Sequence, residues 1–110
     1  MTPYEQHVLK QRRHARAQQA LVDERRLVAH IAVADALEGP DAAKILADAL
    51  AQISRWLDQG LCHPDYADHW RATLALAPSA RRSAILTNDV SGLALRQNTP
   101  FADFLVHTAK

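Results

Sequence analysis

The sequence predicts an all-α protein, a small helical bundle of four to six helices with a long N-terminal helix. Ala, Leu, Arg and Gln are abundant in it, and these residues lose little conformational freedom in a helix. Only 3 Gly and 5 Pro interrupt the 110 residues, of which 48% are apolar, enough for one packed core. There is no Asn-Gly or Asp-Gly turn and no alternating run of strand-forming residues, so nothing favours a sheet.

The first predicted helix has a clear start and a distant end. Thr2 can cap it, Pro3 suits its first position, and Glu5 stands where a capping box requires an acid. No helix breaker follows before Gly39-Pro40, so the helix is about 36 residues and about 54 Å long. A compact domain of this length has a radius of gyration of about 13 Å, and such a helix must project or break. The first half of the helix is expected either to project or to break near residues 15–19.

The middle of this helix is polar and basic. Residues 10–20 read KQRRHARAQQA, and no large apolar residue lies between Leu9 and Leu21. Such a segment cannot be buried in a core. We therefore expect residues 21–37 to pack on the second helix. Residues 1–20 are predicted to form a basic arm or the first half of the long helix, and residues 21–110 a single helical-bundle domain.

The second predicted helix, residues 40–60, has the best-defined apolar face. Its apolar residues recur at intervals of three and four and form a stripe wide enough to face a core: Ala42, Ile45, Leu46, Ala49, Leu50, Ile53, Trp56 and Leu57. Gly60 is predicted to lie at the C-terminal cap of the helix, with Pro64 shortly after it.

The remaining helices are shorter. A third helix is predicted over residues 64–77, with His63 as its cap, and a fourth helix follows with Ser79 as its cap. A break is predicted at residues 88–92, and a last helix is predicted to start at Thr99-Pro100. The predicted core comprises Leu27, Val28, Ile31, Leu46, Leu50, Ile53, Trp56, Leu57, Trp70, Leu74, Ile85, Phe101 and Phe104.

The net charge of +1 conceals a strong pattern along the chain. Residues 1–30 carry six basic and three acidic side chains, residues 31–70 two and seven, and residues 71–110 five and two. Either both basic ends fold over the acidic middle and the charges cancel, or one basic end faces a polyanion or an acidic partner.

The candidate binding residues are Lys10, Arg12, Arg13 and Arg16. The long helix carries weak apolar stripes interrupted by Gln, which suit a homodimer seam or a groove on another protein. The predicted function is therefore a non-catalytic interaction or regulatory protein that binds another macromolecule or itself. Antitoxin, immunity and mobile-element accessory proteins are comparable by size alone. The alternative is nucleic-acid binding by the same basic face.

A second alternative is a metal-binding or enzymatic site around Cys62, His63 and His69. The spacing is poor for a metal, because Cys62 and His63 are adjacent and no CxxC or HxxxH pair accompanies them. The sequence also lacks a phosphate-binding glycine loop, a GxSxG elbow and an HExxH motif. We predict no catalysis, no cofactor, no metal and no small-molecule ligand. A helix-turn-helix centred on Gly60 fails, since Trp56 would occupy its small-residue position.

The sequence also bears on the cellular compartment. A single cysteine excludes an internal disulfide, and the first residues lack the apolar stretch of a signal peptide. The most apolar run, residues 27–37, is interrupted by His30 and Asp35 and is too short to span a bilayer. We expect a cytoplasmic protein without membrane contact. The excess of Arg over Lys is associated with GC-rich bacterial genomes.

Overall fold

The computed structural model describes the backbone of residues 1–108 and the side chains of residues 1–105. Within residues 1–108 the chain forms six helices and no strand, which confirms the predicted all-α bundle with a long N-terminal helix. The helices are α1 (Pro3–Ala36), α2 (Ala42–Asp58), α3 (Pro64–Leu74), α4 (Pro78–Leu86), α5 (Val90–Gln97) and α6 (Ala102–Thr108).

Several helix ends follow the predicted local chemistry. The Thr2 hydroxyl accepts the Glu5 N–H at 3.1 Å, and His63 Nδ1 accepts the Asp65 N–H at 3.1 Å. Gly60 adopts φ +64° just after α2, a conformation that residues with a Cβ adopt at a cost. These caps confirm the predicted starts of α1 and α3 and the predicted end of α2.

Three predicted boundaries are wrong. The third helix stops at Leu74, because Ala77 precedes Pro78 and is held in an extended conformation, with ψ 153°. Ser79 is not a cap but lies inside α4, where Pro78 fills the first position. The last helix also begins later than predicted, after a turn in which the Thr99 hydroxyl accepts the Phe101 N–H at 3.2 Å.

The core lies where α3, α4, α5 and the C-terminal half of α1 meet, with one face of α2 packed on α3. The indole N–H of Trp70 donates to the Asn98 carbonyl at 2.7 Å, and its ring meets the Phe101 ring edge-on at 5.5 Å. The predicted core residues Ile53, Trp70, Leu74, Ile85 and Phe101 are buried. Leu27, Leu46, Trp56, Leu57 and Phe104 are half-buried.

The other predicted core positions are wrong: Val28 is 61% exposed, Ile31 39% and Leu50 42%. The expectation that residues 21–37 pack mainly on the second helix is also wrong, because α1 rests on α4, α5 and α6. This packing buries the side of α1 that carries His30, Val33 and Ala34. Val28 lies on the opposite side of the helix and therefore faces solvent.

The first half of α1 projects from the bundle without a break. Its 34 residues extend about 51 Å, and the whole molecule measures 58 × 29 × 28 Å. The radius of gyration is 17.0 Å, compared with about 13 Å for a compact domain of this length. Every residue from 10 to 21 is exposed.

Candidate interaction surface on the first helix

We call the buried contact between the C-terminal half of α1 and the bundle the base of α1, and His30 lies in this contact. His30 is buried, with Nδ1 2.6 Å from the Arg26 carbonyl oxygen and Nε2 2.8 Å from the Thr99 hydroxyl. A carbonyl can only accept, so Nδ1 carries the hydrogen and the neutral ring accepts from Thr99 through Nε2. Burial lowers the pKa of His30 and keeps the ring neutral. These contacts tie α1 to the loop before α6.

Arg96 of α5 is the second buried polar residue at this base. Its Nη1 donates to the carbonyl oxygens of Ile85 at 2.9 Å and Thr87 at 2.8 Å. Burial lowers the pKa of Arg96, and the carboxylates of Asp23 and Asp89 oppose that effect. Arg96 therefore holds the end of α4 against α5, and its charge is balanced in part from α1.

Two arginines of α4 clamp the end of α1. Arg81 is buried and donates through Nη2 to the Leu37 carbonyl at 3.2 Å, which satisfies one of the free carbonyls at a helix C-terminus. Arg82 Nη1 lies 2.8 Å from Asp35 and 3.6 Å from Glu38. Arg82, from the basic C-terminal third of the chain, thus pairs with two carboxylates of the acidic middle, as the first interpretation of the charge pattern requires for that end.

The basic N-terminal segment is not neutralised in this way. Lys10, Arg12, Arg13 and Arg16 are all exposed. Among the described side chains, no carboxylate lies within 4 Å of any of these four cations. The nearest acid along the helix toward the bundle, Asp23, instead accepts from Gln19 at 3.0 Å and lies 3.6 Å from Arg26.

The four cations surround about half of the projecting helix. At about 100° per residue, Arg12 and Arg16 continue the side of α1 that enters the bundle at His30. Arg13 lies about a quarter turn away, and Lys10 lies almost opposite Arg12. We call residues 3–19 of α1 the arm. The arm therefore presents a broad basic surface and not a single row of cations.

The side of α1 that faces away from the bundle is partly apolar. Leu21 is 47% exposed, and Val28 and Ile31 are exposed on the same side. Two shallow grooves lie along it. One, of about 450 Å³, is lined by His7, Lys10, Gln11, His14 and Ala15, and the other, of about 420 Å³, by Leu21, Glu24, Arg25, Val28 and Ala29.

The structure does not bring the cysteine and histidines of the second alternative into one site. Cys62 is half-buried against the core, and His63 uses Nδ1 to cap α3. His69 is exposed on α3. Within the described part of the chain, no three His, Cys, Asp or Glu side chains are grouped so that they could hold a metal ion.

A groove between α2 and α6 was not anticipated. It has a volume of about 320 Å³, a floor that includes Ile45 and Phe101, and a rim with Asp41, Asp48 and Asp103. Lys44 Nζ lies 2.7 Å from Asp48 on the same rim. Asp41 and Asp48 lie at the start and in the middle of α2 and Asp103 lies in α6, so the acidic average over residues 31–70 could have indicated only the α2 side of the groove from sequence.

The fold and the exposed arm define a helical bundle with a projecting basic helix. No protein family model, curated protein or solved structure matches this chain. Among residues 1–108, none of the helices combines the length and the apolar character needed to cross a lipid bilayer.

Proposed function

We propose that this chain is a non-catalytic interaction protein that binds another macromolecule or itself through the arm. One observation carries the proposal. Of the C-terminal arginines, Arg81, Arg82 and Arg96 are engaged by carbonyl or carboxylate oxygens of the bundle. The four cations of the arm have no carboxylate among the described side chains within 4 Å, and Arg16 makes only a 3.4 Å hydrogen bond to the Arg12 carbonyl of its own helix.

The physical state of the arm supports this role. An isolated helix of about 17 residues is marginally stable in water, and most helical stability in proteins comes from packing. The arm has almost no packing within the chain, since only Val8 and Leu9 of its residues are half-buried. A partner that covered the arm would stabilise the bound helix by mass action.

The charge of the arm indicates the chemistry of the partner. Four cations and one acid, Glu5, give it a net charge of +3, with His7 and His14 neutral. An acidic protein surface would speed association and orient the partner through electrostatic complementarity. A role among small regulators, such as antitoxins or immunity proteins, fits this scheme by analogy of size alone.

The test compares two matched variants in affinity capture from cells in which the gene is native. Arg12→Ala/Arg16→Ala removes two charges from the arm, and Arg55→Ala/Arg71→Ala removes two exposed charges from the bundle. We expect the arm variant to lose the macromolecules that the intact protein retains, and the bundle variant to keep them. Equal retention by both variants would contradict the proposal.

Nucleic-acid binding is the second candidate, favoured by four unpaired cations within seven residues of one exposed helix. If all four contacted phosphates of duplex DNA, the affinity would fall about 100-fold between 50 and 200 mM salt, since the salt slope is about −0.9 per contact. Titration of duplex DNA and RNA at both salt concentrations measures this slope. No binding at low salt, or binding indifferent to salt, would exclude this candidate.

A further inference from the structure

We propose that a second copy of this chain binds along the outer side of α1, with the two long helices antiparallel. The inference rests on the proposed function, because it names the partner of the same helix. We call the contacting residues the outer stripe: His7, Lys10, His14, Ala17, Leu21, Glu24, Val28 and Ile31.

The spacing of the outer stripe is that of a two-helix seam. Its members recur alternately at three and four residues, an average of 3.5, which is the repeat that keeps one side of a helix facing a partner helix. The positions that line the first shallow groove on this side recur 14 residues later as the positions that line the second, a distance of two heptads. The outer stripe therefore runs continuously from the arm to the end of α1.

The position of the outer stripe leaves room for a second helix. The bundle occupies the side of α1 that carries His30, Val33 and Ala34, about half a turn from Leu21 and Val28. A partner helix on the outer side would leave the packing of α4, α5 and α6 intact. In an antiparallel pair, the two bundles would lie at opposite ends of the pair and on opposite sides.

Charge selects the antiparallel orientation. The arm carries four basic and one acidic side chain, whereas residues 20–36 carry two basic and three acidic ones. A parallel pair would place the two arms, each with a net charge of +3, side by side. An antiparallel pair places each arm against the acidic half of the other helix, which lowers the electrostatic energy.

The residues of the outer stripe alternate between the first and the fourth position of a heptad, and the way these positions pair determines the register. In antiparallel pairs, each first-position residue of the seam faces a fourth-position residue of the partner helix. Centring the pair on Gln19 places Leu21 opposite Ala17 of the second copy, and Glu24 opposite its His14. Val28 then covers the aliphatic stem of Lys10 of the second copy. No like charges face each other across the seam in this register.

The apolar content of the seam predicts a reversible dimer. Only three large apolar residues of the outer stripe are available to each copy, so the pair should dissociate on dilution. Sedimentation velocity of the full chain, from the low micromolar to the submillimolar range, should show a shift from 12.2 kDa to twice that mass.

Two double variants identify the contact side. Leu21→Glu/Val28→Glu places charges in the seam and should weaken association at least about tenfold. Leu61→Glu/Val90→Glu is the matched control, because it changes the same two residue types at positions that are 67% and 84% exposed but lie on the bundle. The control should leave the sedimentation profile unchanged. At a concentration where all three proteins are monomers, circular dichroism should show the same helix content in each.

Cysteine cross-linking in a Cys62→Ala background reports the orientation. Antiparallel pairing places position 7 near position 31 of the other copy, and about 36 Å from its own counterpart. A mixture of His7→Cys and Ile31→Cys proteins should therefore form mixed disulfides, whereas neither protein alone should form a disulfide-linked homodimer.

The outcomes separate this inference from the proposed function. A monomer at all concentrations, a dimer unaffected by Leu21→Glu/Val28→Glu, or homodimer cross-links of His7→Cys would each overturn antiparallel pairing. The capture comparison of Arg12→Ala/Arg16→Ala with its bundle control would still stand in those cases. Loss of partner capture in the arm variant of a monomeric protein would sustain the proposed function and reject the second copy as partner.

Discussion

Ile53 and Leu50 lie one turn apart on α2 and provide a sharp test of the packing. The sequence pattern assigns both to the inner side of the helix, but Ile53 is completely buried whereas Leu50 is 42% exposed. Truncation of a fully buried Ile to Ala leaves a cavity and costs about 2 to 5 kcal/mol. The same truncation at Leu50 should cost about 1 kcal/mol or less, since much of its surface is already in water.

These losses in the free energy of unfolding correspond to measurable decreases in the melting temperature, Tm. With about 2.1 cal/mol/K of unfolding entropy per residue, a chain of 110 residues has about 0.23 kcal/mol/K. Ile53→Ala should therefore lower the Tm by about 9 to 22 °C, and Leu50→Ala by no more than about 4 °C. Circular dichroism at 222 nm measures both transitions in the same buffer.

The result that would refute this reasoning is an equal loss of stability in the two variants. It would show that α2 is covered on both sides, by another helix of the chain or by a partner. An unchanged Tm for Ile53→Ala would show that the inner side of α2 is assigned incorrectly.

Two further predictions concern the buried base of α1 and the start of α5. Because the pKa of His30 is lowered by burial, the unfolded state binds more protons below about pH 6.5, and stability should fall with decreasing pH by up to about 1.4 kcal/mol per unit. Urea unfolding at several pH values should show that His30→Gln reduces this slope and that the exposed His69→Gln does not. Gly92→Ala should lower the free energy of unfolding by about 1 to 3 kcal/mol in the same assay, since the added Cβ would lie 1.8 Å from the Thr87 carbonyl oxygen. Gly39→Ala, whose nearest contact is 3.4 Å, is the control, and an equal loss there would contradict the steric explanation.

The boundaries that could be predicted depend on short-range chemistry. The caps at Thr2 and His63 and the left-handed Gly60 each involve residues within a few positions of one another, so their patterns are visible in the sequence. The boundary near Ser79 was mispredicted because two signals competed there. Pro78 fitted the first helical position and so displaced the expected cap.

The exposed side of α1 could not be predicted, because it depends on which helices cover the other side. Val28 and Leu27 were both predicted to be core residues, yet Val28 is exposed and Leu27 half-buried. The two lie about 100° apart around the helix, and the sequence does not show which of these directions the other helices cover. A polar residue, His30, occupies the centre of the buried side, since Thr99 and the Arg26 carbonyl satisfy its ring. Hydrophobicity alone would have placed it outside.

The candidate interaction surface could also be predicted only in part. The absence of large apolar residues between Leu9 and Leu21 was enough to predict an exposed basic segment, whatever the fold. The sequence could not show which basic end remains unpaired. Arg81 and Arg82 find their oxygen partners only because α4 folds against the end of α1, and Arg96 finds its partners only because α5 folds against the end of α4.

The sequence by itself determined that the chain is helical, where most helices begin and end, and that the arm is too polar to be buried. Local propensity, capping and the spacing of apolar residues suffice for these features. Only the tertiary structure decided which side of each helix faces the core and which charges are neutralised, because burial and ion pairing depend on contacts between residues far apart in the chain.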